Sequence, residues 1–384
     1  MNILYIGPND SEWAQTNRPV GLAAAKWTRG FLTALAKACQ LTALSHSYSY
    51  PWPKGNRIWG ETDSKLFNAG WDSCAIGYPV LKFFRERYLS WAYPRVAKKI
   101  IRKKKIDLVI FYNCEYPHER RIIRSVAQIG TPCIPIILDG DDPRKDEWGW
   151  LKETAANSVG FVSLSWWVHQ NITKHTGKPS YHMDGGAEGW AGVPPNPQLK
   201  GTAFTLVHTG ALDQWRGLDF MIEVVRRLAA KRKDVKFVFT GKSSAEQLKE
   251  VFGDNPQVEL PGFVSEVRME EICNRADILL NVRDPKHPDN ILNYPSKLPH
   301  YLSVGRPIVS TRLDSLSPDY AEVVHFPAND TVEAYLQEVE RVLGFDDAQR
   351  LNEYEKIKSW FLRRKTWDVM VKSLVEWFEE IVRR

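Results

Sequence analysis

The residues from Asn293 to Thr311, NYPSKLPHYLSVGRPIVST, have the types and spacing to hold an anion. Ser296 is a good helix cap, Pro299 falls in the first turn where a missing N–H costs little, and Gly305 suits the left-handed conformation that ends a helix. The pattern predicts a short helix between a loop and a buried strand. It would aim the backbone N–H groups of Ser296, Lys297 and Leu298 out of the loop, with Lys297 adding a full charge. Phosphate is held this way, and a diphosphate is the natural occupant. The alternative is an ordinary capped helix with no ligand. A second group is Ile137-Leu-Asp-Gly-Asp-Asp142, where Asp139, Asp141 and Asp142 follow an apolar run. These carboxylates suit hydrogen bonds to hydroxyl groups or general-base work, or else plain turn and cap chemistry.

Other groupings fail on spacing. Gly241-Lys-Ser-Ser lacks the first glycine of a phosphate-binding P-loop, since position 236 is Lys. His169 and His175 have no H-E-x-x-H pattern, so no metal site is expected. The five cysteines are scattered without a C-x-x-C pair, which argues against a disulfide framework or structural zinc and for a reducing compartment. Arg95 to Lys105, RVAKKIIRKKK, sets Val96, Ala97, Ile100 and Ile101 against a dense row of cations. It reads as a solvated helix before a strand, or as a contact with an anionic membrane surface helped by Phe83, Phe84, Tyr88 and Trp91. No nucleic-acid motif accompanies it.

The elements that must position these residues alternate. Asn2–Ile6 is an apolar run stopped by Gly7-Pro8, Ala23–Ala38 is apolar at helical spacing, and Leu41–Leu44, Leu108–Tyr112, Ile134–Leu138 and Phe161–Leu164 are further strands. After a cluster of breakers at residues 185–200, a second run gives strands at Thr205–His208, Lys236–Thr240, Val258–Leu260 and Ile278–Val282. Helices are expected between them at Leu218–Ala230, Ala245–Phe252 and Arg268–Arg275. Another helix is expected near Thr331–Leu343. Strands alternating with helices predict an α/β chain with two parallel, doubly wound, Rossmann-like sheets facing a cleft. The last helix, Thr366–Val382, has a wide apolar stripe that must pack on something large.

At 384 residues two domains are the prior. The expected boundaries are 1–185 for a first domain, 186–200 for a linker, 201–364 for a second domain and 365–384 for the final helix. Residues 1–185 carry 25 Lys and Arg against 16 Asp and Glu, and the remainder 27 against 30, so the basic first half suggests an anionic neighbour. No run is long and apolar enough to span a membrane and no signal peptide is indicated, so a cytoplasmic chain is expected. Residues 45–79 break the rhythm with many prolines, glycines and aromatics. They read as an excursion whose Trp52, Trp59 and Trp71 suit stacking on sugar rings or lipid headgroups.

The stretch Tyr294-Pro-Ser-Lys-Leu-x-x-Tyr-Leu-x-x-Gly-Arg-Pro-Ile-Val-Ser-Thr311 resembles the donor-site segment of retaining GT-B glycosyltransferases of group 1. Three more segments match in order. Val207-His-Thr-Gly-Ala-Leu-Asp-Gln-Trp-Arg-Gly217 resembles the family's strand, glycine and K-G loop, Phe237-Val-Phe-Thr-Gly241 its next strand and glycine turn, and Leu260-Pro-Gly-Phe-Val264 the turn beside the nucleotide base. The likeness covers the second half well and the first in outline. It implies a nucleotide-diphosphate sugar as substrate, no cofactor, a glycan or lipid-linked acceptor, and a last helix that crosses back to the first domain.

Carried over, Arg216 and Lys297 would stabilise the diphosphate, while Asp139, in a group that stands where the family often has a His touching the transferred sugar, would bind sugar hydroxyls or serve as a base toward the acceptor. Gly7, Gly21, Gly210, Gly241, Phe263, Val264, Ser296, Leu298 and His300 would line the donor. Two departures stand out: Ala211 replaces a usual Arg, and the E-x7-E pair is Leu292 and His300. His300 would then hydrogen-bond the ribose in place of a carboxylate, or be a plain helix-surface histidine. The loss of the acidic pair leaves open an inactive scaffold that binds a sugar nucleotide or a partner. An epimerase or phosphorylase of the same fold is the other enzyme reading.

Overall fold

The computed structural model describes residues 1–9, 22–46, 70–138, 142–196, 203–241, 248–253, 255–284 and 287–383. The chain divides into two compact units, one formed by Met1–Gly186 with Trp367–Arg384 and the other by Ala187–Thr366.

The first unit is built on strands β1 (Asn2–Ile6), β2 (Gln40–Ser45), β3 (Asp72–Ala75), β4 (Leu108–Tyr112), β5 (Cys133–Ile137), β6 (Phe161–Ser163) and β7 (Ser180–His182). They form one sheet in the order β3-β2-β1-β4-β5-β6-β7, and every pairing is parallel. Helices cover both faces of such a sheet, and this explains why β1, β4 and β5 are continuous apolar runs. Helix α1 (Leu22–Ala38) packs against the last helix of the chain, and helix α2 (Lys82–Lys104) runs through Pro94 without ending. The sequence led us to expect only its second half, from Arg95. The excursion closes on the sheet, since β3 joins β2 as the edge strand while Trp71 and Tyr78 are buried. Trp71 therefore belongs to the core and offers no platform for a sugar. Trp52 and Trp59 lie outside the described residues.

Helices α3 (Pro117–Ala127), α4 (Gly149–Ala155) and α5 (Trp166–Thr176) complete the crossovers. Ser165 caps α5 by accepting from the Val168 amide.

The second unit repeats the plan with β8 (Phe204–His208), β9 (Val235–Thr240), β10 (Val258–Gly262), β11 (Ile278–Asn281) and β12 (Ile308–Ser310), ordered β10-β9-β8-β11-β12 and parallel throughout. The helices are α6 (Leu218–Lys231), α7 (Glu266–Asn274), α8 (Leu298–Val304), α9 (Val332–Leu343) and α10 (Asp347–Arg364). Their core joins Leu206, Phe237, Phe239, Ile278 and Leu280 from the sheet to Met221, Val225 and Leu228 of α6 and Tyr335 and Val339 of α9. Thr331 caps α9, and Asp346 with Gln349 forms a capping box on α10.

The breaker-rich segment after Gly186 is packed over its first residues. Trp190 donates to the Tyr354 hydroxyl at 3.0 Å, and the Ala191 amide donates to Ser303 at 2.9 Å. Helix α11 (Trp367–Arg383) returns to the first unit, where its Trp367 ring meets Trp27 edge-on at 5.6 Å.

Candidate active site

Doubly wound sheets bind ligands at the carboxyl ends of their strands, where the strand order reverses. In the second sheet that point lies between β8 and β11. Tyr301 of α8 fixes its walls. The buried hydroxyl accepts from the Thr209 amide at 2.8 Å and from the Thr209 hydroxyl at 3.2 Å, and it donates to the Leu280 carbonyl at 3.4 Å. One side chain thus ties α8 to the loop after β8 and to β11. Two left-handed glycines complete the rim. Gly210 has φ +85° and open space where a Cβ would sit, and Gly241 has φ +119° with its missing Cβ 2.7 Å from the Gly210 carbonyl.

Cations gather at this point. Lys297 places its ammonium 2.6 Å from Nε2 of His208, the last residue of β8. With the ammonium donating, Nε2 accepts and the ring proton sits on Nδ1, a buried atom with no hydrogen-bond partner among the described residues. Burial holds the His208 pKa well below its ordinary value, and the charges of Lys297 and Arg283 push it the same way. Burial likewise depresses Lys297, with Arg283 and Arg216 adding to it. Arg283 is only 8% exposed and donates to the Asn290 side chain at 3.2 Å and the Asn293 carbonyl at 3.3 Å. Arg216 closes a short turn whose cap, Asp213, accepts its amide and pairs with its guanidinium. The next residue, Gly217, has φ +85° and sits against the Arg283 backbone, so the Arg216 loop is seated on the end of β11. A neutral imidazole and a buried lysine crowded by two arginines call for a negative group.

The helix α8 starts later than its sequence suggested. Lys297 is its N-cap, no side chain caps it, and the Leu298 amide donates to the Pro295 carbonyl at 3.0 Å. The Leu298 N–H is therefore spent inside the turn and Ser296 stands exposed without capping, which corrects the expected trio of free amides. The Ser296 and Lys297 amides meet no backbone carbonyl among the described residues. His300 is half-buried on α8 with Nε2 shielded from solvent, and Leu292 is buried. Phe263 is 71% exposed just past β10, with Val264 half-buried beside it.

In the first unit Gly7 gives its amide to the Leu44 carbonyl at 3.2 Å and packs against Tyr112 and the Tyr5 hydroxyl, which accounts for its lack of a side chain. Gly21, Asp139 and Asp141 lie outside the described residues. Asp142 is buried, caps the turn Pro143–Asp146 and is bound by the Arg144 guanidinium at 2.7 Å, which holds its carboxyl below the usual range. Its role is structural. Sequence reasoning missed His208, Arg283 and Tyr301. The first two are polar residues at the carboxyl ends of buried apolar strands flanking the reversal, and that position was the available signal.

Two parallel doubly wound units with such a site define the GT-B class of α/β enzymes. Solved structures share the fold over the whole chain. A glycosyltransferase from Rickettsia africae has a TM-score of 0.69 at 10% identity, covering 100% of this chain and 99% of that one. HepE of Anabaena, in complex with UDP, has a TM-score of 0.65 at 11% identity over 99% and 100% of the two chains. The catalytic domain of starch synthase IV from Arabidopsis thaliana, bound to ADP and acarbose, scores 0.69 at 11% identity over 100% of each. No curated protein sequence matches the chain. Residues 203–344 match the family model of the glycosyl transferases group 1, and the chain has the GT-B fold of a glycosyltransferase.

Proposed function

We infer that the chain moves a sugar from a nucleotide-diphosphate sugar to a glycan, lipid-linked or other acceptor, with the diphosphate seated on Lys297, Arg283 and Arg216. The observation that carries this is the gathering of Arg283 and Arg216 around the buried Lys297, which meets His208 at the switch point of the second sheet. As the bond from the anomeric carbon to the diphosphate lengthens, negative charge grows on the phosphate oxygens. Cations fixed in advance stabilise that charge without reorganising, each by on the order of a few kcal/mol in a dry site. They supply the positive charge that a metal ion gives other transferases, so the reaction runs without one. HepE with UDP and starch synthase IV with ADP are neighbours solved with nucleoside diphosphates, which supports the same occupant here.

The exposed Phe263 ring and Val264 lie along the base, Gly210 and Gly241 give room for backbone approach, and His300 meets the ribose. The acceptor belongs to the first unit, with Asp139 as its base and Gly7 and Gly21 near the transferred group. Retention at the anomeric carbon, a place in polysaccharide synthesis and a cytoplasmic location at the inner membrane face complete the reading. Five free cysteines suit that compartment.

The loss of the acidic pair at Leu292 and His300 favours a second reading, a scaffold that binds a sugar nucleotide without turning it over. Thermal-shift screening against UDP, GDP, ADP and CMP derivatives identifies the base, and incubation with the matching nucleotide sugars follows donor hydrolysis. Release of free sugar, lost in Lys297→Met, supports the transferase. Binding without release supports the scaffold, and no stabilisation by any nucleotide sinks both.

A further inference from the structure

Helix α2 presents a two-part stripe to solvent. Phe84, Tyr88, Trp91, Arg95, Lys98, Lys99 and Arg102 recur at intervals of three and four, so they share one face, while Leu89, Ala92, Tyr93, Ala97 and Ile101 bury the opposite face in the first unit. Phe84 is 61% exposed and Trp91 is 52% exposed, although the helix has a separate apolar face for its core contacts. Tyr88 and Trp91 are neighbours with ring centroids 5.6 Å apart, and the Arg95 guanidinium lies 4.1 Å over the Trp91 ring. Beyond Arg95 the stripe is cationic. Lys104 pairs with Asp72, but no carboxylate among the described residues pairs with the exposed Lys98, Lys99, Arg102 or Lys103. No described helix is long and apolar enough to cross a membrane.

We propose that this stripe of α2 rests on an anionic lipid surface, with Phe84 and Trp91 in the headgroup boundary and the cation row over the lipid phosphates. The choice of partner follows from the aromatic half. A phenyl ring exposed beside an indole gains from entering an apolar boundary, whereas a polyanion in water needs only the cations. Arg95 joins the halves, since its guanidinium stacks on the indole and donates to the Trp91 carbonyl at 3.0 Å. Vesicle binding needs no donor chemistry. The consequence, delivery of a lipid-linked acceptor, rests on the transferase reading above.

The test uses the full chain in flotation with vesicles of phosphatidylglycerol in phosphatidylcholine and of phosphatidylcholine alone, at low and high salt. Wild type is expected to float with the anionic vesicles, less so at high salt. Each cation contributes about fivefold, so Lys98→Gln/Lys99→Gln/Arg102→Gln weakens binding by roughly a hundredfold. Phe84→Ser/Trp91→Ser removes what survives at high salt. Both variants should keep the wild-type melting temperature and the wild-type nucleotide thermal shift, because every replaced group faces solvent.

Wild type that ignores anionic vesicles overturns the proposal, as does a triple variant that floats as well as wild type. Retention on RNA or heparin without vesicle binding overturns it in favour of a polyanion site. Intact vesicle binding with no turnover of any sugar nucleotide supports the surface and removes only the transferase reading.

Discussion

At the scale of the residue, Lys297 is held where its charge is costly. Its folded pKa is depressed by burial and by Arg283 and Arg216, so the unfolded chain binds more protons below the ordinary lysine range. Stability from this group therefore rises with pH from the depressed pKa toward the ordinary one, and the charged form of the lysine works against folding. Lys297→Met should lower donor turnover by about a hundred- to a thousandfold while leaving the melting temperature unchanged or higher. A lower melting temperature would mean that the lysine serves the fold. The same depression links protons to the ligand, because a bound diphosphate favours the ammonium and raises its pKa. UDP binding should take up protons at pH values between the depressed lysine pKa and the ordinary one, and weaken as pH rises through that window. Calorimetry in buffers of different ionisation enthalpy reads the uptake directly, and equal heats in all buffers would refute it. His208 is held neutral by the same surroundings, so it acts by orienting the ammonium.

At the scale of the element, α8 matters through its attachment more than through its amino end. Its seven residues carry no side-chain cap, and Tyr301 holds it to Thr209 and Leu280. Tyr301→Phe leaves the buried Thr209 amide and the Leu280 carbonyl short of a partner, at a cost of about 1–3 kcal/mol. The melting temperature should fall and the KM for donor should rise, because Lys297 rides on the same turn. Unchanged values of both would show that Thr209 finds another partner.

Elements were legible where burial wrote a simple pattern. β4 and the strands around Lys297 read directly, being apolar runs between breakers. Helix α10 did not, since DAQRLNEYEKIKSWFLRR is mostly charged and its buried Tyr354, Ile357, Trp360 and Phe361 are spread thinly. The first half of α2 was hidden by Pro94, which the helix absorbs, and β3 and β7 are short edge strands whose partners decide their state. The site followed the same rule. Lys297 and Arg216 stand in local motifs, whereas His208 and Arg283 meet only after β8 and β11 become neighbours, a fact of topology and not of spacing.

At the scale of the whole molecule, the chain leaves the first unit at Gly186 and comes back to it at Trp367, so that unit is stitched from both ends of the sequence. The stitch is concrete. Trp367 is buried against Trp27 and over Gly30, where any larger residue would collide with its indole, and Lys37 bridges Asp368 at 2.9 Å in water. The exposed ion pair contributes little, so the indole is the fastening. Behind it Met370, Val371, Leu374, Phe378 and Ile381 bury the stripe that the sequence displayed as unpartnered. Trp367→Ala should cost the first unit about 3–5 kcal/mol, visible as an earlier melting transition. UDP should still stabilise the second unit as in wild type, because Lys297, Arg283 and Arg216 all lie within Ala187–Thr366. If the variant melts like wild type, α11 is held by its remaining stripe. If UDP stabilisation disappears with the indole, donor binding depends on more of the chain than the cation cluster of the second unit.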